Sequence, residues 1–191
     1  MAHGVCPIWV GYFLSIPLRK LVQNPKKILS PYLADGMKVL DIGCAMGFFS
    51  LQMARIVGPG GRVICVDVQQ RMIDVLVKRA RRAGLLEIIE TRVCGRDSLG
   101  IEDLDGQMDF ACAFAVAHEV PDSAAMFSQV YRALKQGGRM FLAEPKGHIS
   151  EDEFGITVST ASKTGFEIVS NPDVARSRTV LWEKPEQGRS M

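Results

Sequence analysis

The sequence predicts an α/β protein, a doubly wound, mostly parallel sheet with helices on both faces. Three observations predict it. Apolar runs of strand length alternate along the chain with stretches of helical period. The first run, Val39-Leu40-Asp41-Ile42, breaks at Gly43 and resumes after Gly47 as residues 48–54, a buried strand turning tightly into a helix. A second run, residues 61–67, ends in the carboxylate of Asp67. It falls about 20 residues after the turn, the spacing of a group that grips a ribose diol.

The elements follow in order. Residues 1–35 precede the core strand and predict a helical cap. Pro17 starts one helix there, and Pro25 starts another with Asn24 as its N-cap. In the first strand-turn-helix unit, glycine is needed where the backbone takes positive φ or a ligand approaches closely. Gly43 and Gly47 stand where both needs arise, and Asp41 sits at the strand end as a hydrogen-bond acceptor. Residues 58–61, Gly-Pro-Gly-Gly, are a turn into the second strand. The helix after Asp67 carries Met72, Ile73, Leu76, Val77, Ala80 and Ala83 as a 3.6-residue stripe closed by Gly84. Residues 87–93 form a third strand and 107–114 a fourth. The helix after Asp122 presents Phe127, Val130, Tyr131 and Leu134 on one face and is expected to stop at Gly137-Gly138. Residues 140–144 are the fifth strand. Ser150 with Glu153 predicts a capping box, and two short strands around 166–169 and 179–182 close the chain as a hairpin. The polar tail from 185 to 191 is expected to be loose.

Asp41-Ile42-Gly43-Cys44-Ala45-Met46-Gly47, then Asp67, then Leu134-Lys135-Gln136-Gly137-Gly138-Arg139 resemble the signatures of the class I S-adenosylmethionine-dependent methyltransferases, of the small type 11-like kind. The resemblance covers about residues 35–184. It implies a Rossmann-like, seven-stranded sheet with an antiparallel last strand, in a single domain with its core at 36–184. It also implies S-adenosylmethionine as cofactor and S-adenosylhomocysteine as product. One position departs from the pattern, since the middle of the glycine loop is Ala45 rather than glycine. The implied cofactor site comprises Asp41, Gly43, Cys44, Ala45 and Gly47 on the first loop, with Asp67, Val68 and Met72 after the second strand. Ala113 and Phe114 at the end of the fourth strand complete it. The loop holding Arg96, Asp97 and Ser98 lies where the family places a carboxylate on the adenine amino group. Asp97 suits that task better than Arg96, because arginine offers no acceptor; a helix N-cap by Asp97 or Ser98 is the structural alternative.

Methyl transfer is an in-line displacement on a sulfonium carbon whose leaving thioether needs no proton, so alignment supplies much of the acceleration. Only a nucleophile that must lose a proton asks for a base. His118 and Glu119, on the loop after the fourth strand, are the candidate catalytic residues, His118 because its ordinary pKa of about 6.5 suits proton transfer near neutrality. Glu144 and His148, after the fifth strand, are candidate substrate contacts with His118. Trp9 and Tyr12 belong to an apolar cluster that must pack on the domain, on a twin subunit in a homodimer, or over the site as a lid against the acceptor.

An apolar content of 47%, a charged content of 23% and a net charge of +2 suit a globular chain and imply no nucleic-acid footprint. Lys78, Arg79, Arg81 and Arg82 predict a solvated helix face. Five cysteines without paired spacing argue against a disulfide framework and predict a reducing, cytoplasmic setting. No metal site is expected, and no membrane span. The expected partner is a small-molecule acceptor. One rival is a nicotinamide-dependent oxidoreductase, disfavoured because the third glycine of its motif is missing and Phe48 crowds the pyrophosphate position. The other is a catalytically silent binding module that keeps the glycine turn as structure.

Overall fold

The computed structural model describes residues 23–186. Within them β1 (Lys38–Ile42), β2 (Arg62–Asp67), β3 (Ile89–Val93), β4 (Met108–Phe114), β5 (Leu134–Pro145), β6 (Glu167–Ser170) and β7 (Ser177–Glu183) form a single sheet. Its order is β3-β2-β1-β4-β5-β7-β6. Strands β1 to β5 pair in parallel, and β7 runs antiparallel to both β5 and β6. This is the Rossmann-like sheet with an antiparallel last strand that the sequence predicts.

Alternation along the strands builds two cores. Val39, Val63, Cys65, Phe110, Cys112 and Phe141 face one side. There they meet α1 (Pro25–Leu29), α2 (Ser50–Val57) and α3 (Gln70–Arg82). Leu40, Ile64, Ala111, Met140, Leu142 and Trp182 face the other. That side is covered by α4 (Ser123–Ala133) and α5 (Glu151–Ser162). Helices on both faces leave almost no side chain of β1, β2 and β4 in water, which is why these strands read as continuous apolar runs.

The caps follow local chemistry. The Asn24 side chain accepts the N–H groups of Lys26 and Lys27 to start α1. Ser150 and Glu153 form the reciprocal capping box of α5. One boundary differs from expectation. Helix α4 ends at Ala133, and Leu134 is already extended and paired with Met108. The reason is long-range. The N–H groups of Gly106 and Gln107 take the carbonyls of Arg132 and Ala133, and the Lys184 ammonium donates to the carbonyls of Tyr131 and Leu134 at 2.8 Å each. Partners distant in sequence thus end the helix before its glycines, which instead pair with Lys184. The helix expected from Pro17 lies outside the described residues.

Candidate active site

Parallel strands β1 to β5 end together: Ile42 lies beside Val66 and Ala113, Asp67 beside Val93, and Phe114 beside Ala143. The order reverses between β1 and β4, so a crevice opens at their carboxyl ends, where open α/β sheets bind ligands.

The turn after β1 is held from below. The N–H groups of Gly43 and Cys44 both donate to the Val66 carbonyl, at 2.9 and 3.1 Å. Gly43 and Gly47 take φ of +66° and +80°. The close approaches they permit are made by the protein itself: a Cβ on Gly43 would fall 2.5 Å from Val116 Cγ2, and one on Gly47 would overlap Leu76 Cδ1. Ala45, between them, takes φ of +45°, and Ala115, at the end of β4, takes +57°. Left-handed backbone costs an L-residue about 1–2 kcal/mol. Both strained alanines stand on the loops flanking the switch point, where strain marks function.

Asp67 is 7% exposed and clamps this turn, with Oδ2 accepting the Ala45 N–H at 2.9 Å and Oδ1 the Gln69 N–H at 2.8 Å. Each oxygen keeps a further lone pair for a ligand hydroxyl. Burial raises its pKa against those two hydrogen bonds. Asp41 lies beneath the turn at 3% exposure, where it accepts hydrogen bonds from the Ser50 hydroxyl and, at 3.5 Å, from the Cys112 thiol. Burial pushes it up to about 6, and the Asp67 charge adds to the rise. Cys44 is buried, and its thiol pKa is raised by a hydrogen bond with Cys65 and by burial, so it stays a neutral thiol. The Arg79 guanidinium donates to the Met46 carbonyl and ties α3 to the turn.

Beside Asp67, Val68 and Val93 are 39% and 47% exposed, two of the few large apolar side chains left in water. Met72, at 1% exposure, is buried in α3. Arg96 and Asp97 are exposed on the next loop. Neither Asp97 nor Ser98 caps a helix, since the next helical turn, Glu102–Leu104, follows Ile101 with no side-chain cap; the Ser98 hydroxyl instead accepts the Gly100 N–H and meets Glu102 and Gln129. Ala113 is fully buried in β4, whereas Phe114 stacks on Phe49 with ring centroids 3.7 Å apart. An apolar platform beside a carboxylate with spare acceptor sites is chemically suited to hold a nucleoside.

At the other half of the crevice, Glu144 closes β5 with no exposure. Its Oε1 accepts the Ala117 N–H at 2.8 Å, and its Oε2 lies 2.5 Å from His118 Nδ1. His118 Nε2 stands 4.0 Å from Glu119 Oε1, and the His118 ring is edge-on to His148 at 6.0 Å. His148 is exposed. The sequence placed His118, Glu119 and His148 on neighbouring loops and Glu144 at the end of the fifth strand, but did not reveal the His118–Glu144 contact. A carboxylate at the end of a strand otherwise buried on both sides was the available signal. Trp9 and Tyr12 lie outside the described residues. Among the described residues no group of three or more acidic, cysteine or histidine side chains is placed to hold a metal ion, and no helix is long and apolar enough to cross a membrane.

A family profile described as a methyltransferase domain matches residues 33–178. The arsenite methyltransferase of Aquipseudomonas alcaligenes is 29% identical over 121 residues, which is 61% of this chain and 35% of that protein. The ubiquinone biosynthesis O-methyltransferase of Xanthomonas oryzae pv. oryzae is 33% identical over 132 residues, 63% of this chain and 52% of that protein. The chain thus spans about half or less of the length of these curated relatives. The crystal structure of a SAM-dependent methyltransferase from Aquifex aeolicus superposes with a TM-score of 0.83 at 20% identity, over 94% of this chain and 100% of that one. At that identity the likeness is one of fold.

Proposed function

Because the chain belongs to the methyltransferase domain family, we propose that it transfers a methyl group from S-adenosylmethionine to a small-molecule acceptor, leaving S-adenosylhomocysteine. The observation that carries the proposal is the corner made by Asp67, Val68 and Val93 next to the Gly43–Gly47 turn. Asp67 holds the ribose hydroxyls, the two valines take the adenine, and Asp97 is the acceptor in reach of its amino group. The bound sulfonium supplies an activated methyl group. Asp41 and Asp67 are buried carboxylates whose charges repel each other, so the site favours a ligand carrying positive charge. Phe48 stands just before α2, where a pyrophosphate would have to approach, which speaks against a nicotinamide dinucleotide.

The protein's own contribution is alignment. Strand ends and the clamped turn fix the donor side, while the loop of residues 115–120 fixes the acceptor side, and holding two reactants in line replaces an encounter in solution. Gln23 donates to the Ala175 carbonyl and, at 3.2 Å, to the Ser177 hydroxyl. Ser177 pairs with Pro145, just past Glu144. The described chain therefore begins at the acceptor side of the crevice, which supports the proposal that Trp9 and Tyr12 cover the acceptor.

Charge-assisted hydrogen bonds are worth roughly 1.5–3 kcal/mol. Asp67→Ala is expected to weaken S-adenosylhomocysteine binding by about tenfold or more, at 1.4 kcal/mol per decade. Asp67→Asn, which keeps an acceptor for the turn, should lose less. Unchanged affinity in a folded Asp67→Ala variant would remove Asp67 from the site and take the proposal's main support with it.

A further inference from the structure

Glu144 is the most deeply buried acidic side chain in the crevice, and its position is not one that stability would select. A buried carboxylate costs several kcal/mol to desolvate, and an ion pair in its place is seldom better than an apolar side chain of the same shape. Neighbouring residues of β5, Phe141, Leu142 and Ala143, are all apolar. Yet both Glu144 oxygens are turned to one loop, one to the Ala117 N–H and the other to His118 Nδ1. Just before that loop stands Ala115 in left-handed backbone. A rigid strand is thus spending a buried charge on the orientation of one imidazole.

The consequence is a fixed tautomer. A carboxylate can only accept, so His118 Nδ1 must carry the proton, and in the neutral ring the lone pair is then on Nε2. We propose that Glu144 is a positioning residue that holds His118 with Nε2 open as a proton acceptor, and that the methyl acceptor of this site is accordingly a weakly acidic hydroxyl. This rests on the methyl-transfer function proposed above and names its substrate class. As the hydroxyl oxygen's lone pair forms the new O–CH3 bond, the S–CH3 bond breaks and its electron pair returns to sulfur as a neutral thioether. The hydroxyl proton passes to His118 Nε2, and the positive charge lost by the sulfonium reappears on an imidazolium beside Glu144. A soft nucleophile such as arsenite or a thiolate carries its lone pair without losing a proton there and has no use for this arrangement.

The groups facing His118 are Glu144 from β5, Glu119 from its own turn and His148 from the loop after β5. The hydrogen bond to Glu144 raises the His118 pKa, against burial, with the charges of Glu144 and Glu119 adding to the rise. Replacing Glu144 removes the leading cause.

The chain has three histidines, so nitrogen-15 NMR of the native protein resolves His118 once His3→Asn and His148→Asn have assigned the other two. The expected result, read above the His118 titration midpoint, is a neutral ring protonated on Nδ1, and a midpoint that moves down in Glu144→Gln. The Nε2-protonated tautomer, or an unmoved midpoint, would overturn the proposal; the tautomer needs no variant and so does not depend on Glu144→Gln folding. In methyl-transfer assays, 3,4-dihydroxybenzoate as a hydroxyl probe should be turned over, with kcat lowered about 100-fold or more in His118→Ala. In Glu144→Gln the limb of the pH profile should shift with the midpoint while S-adenosylhomocysteine affinity is kept. Turnover of arsenite or dithiothreitol but of no hydroxyl compound would overturn the acceptor class alone. Failure to bind S-adenosylhomocysteine would instead overturn the methyl-transfer function, whatever the tautomer.

Discussion

Asp41 sits under a loop that could be closed with an apolar residue, and it is held there at a cost to folding. Its pKa is pushed from 3.8 to about 6, first by burial, against the hydrogen bonds of Ser50 and Cys112. The folded state therefore binds this proton more tightly than the unfolded state does. Stability is highest below the unfolded value, falls as pH rises through the window from about 4 to 6, and carries the full cost above it. A gap of about two units corresponds to roughly 3 kcal/mol. Asp41→Asn keeps the shape and an acceptor for Ser50, so it should raise stability at pH 7 by up to about 3 kcal/mol and flatten the pH dependence between 4 and 6. Urea unfolding at several pH values checks this, and a loss of stability at pH 7 would refute it. The residue type and position of Asp41 and Asp67 were legible in the sequence, because a carboxylate interrupting or ending an apolar run has to be satisfied or used. Their separate depths were not. Which oxygen meets Ser50 and which meets Ala45 depends on α2 and on the turn folding back over the strand ends.

At the scale of the elements, the local rules were enough for the caps of α1 and α5, since Asn24 and the Ser150–Glu153 pair act within their own turn. They were not enough for the end of α4, whose carbonyls are taken by Gly106, Gln107 and Lys184. Strand β7 offers a test of what packing alone contributes. Trp182 is fully buried against Phe127 and Phe166, with centroids 5.7 and 5.9 Å away. Its Nε1 has no hydrogen-bond partner among the described residues. An unpaired buried N–H costs about 1–3 kcal/mol, which offsets part of what the larger ring gains by burial. Trp182→Phe is therefore expected to change stability by no more than about 1 kcal/mol, whereas Trp182→Ala should cost about 3–5 kcal/mol through the cavity it leaves. Chemical denaturation of the two variants compares them directly. A Trp182→Phe loss as large as that of Trp182→Ala would mean that the indole N–H is engaged after all.

For the whole molecule, the sheet order brings every strand end of interest to one edge, with Asp67, Val68 and Val93 to one side of the β1–β4 switch point and Glu144 with His118 to the other. The parallel strands and their helices were readable because each buries a run of apolar residues at a fixed period. The donor half of the crevice was readable too, because the glycine turn and Asp67 lie about 20 residues apart on consecutive strands. The acceptor half was legible only as a set of polar residues on two loops, since the pairing of His118 with Glu144 spans 26 residues and depends on β5 lying beside β4. At this edge the nucleoside bound is phosphate-free. Isothermal titration of the chain with S-adenosylhomocysteine and, separately, with NAD measures it most directly. Saturable binding of S-adenosylhomocysteine, tighter than that of NAD, is expected; NAD binding as tight or tighter would refute the assignment of this edge.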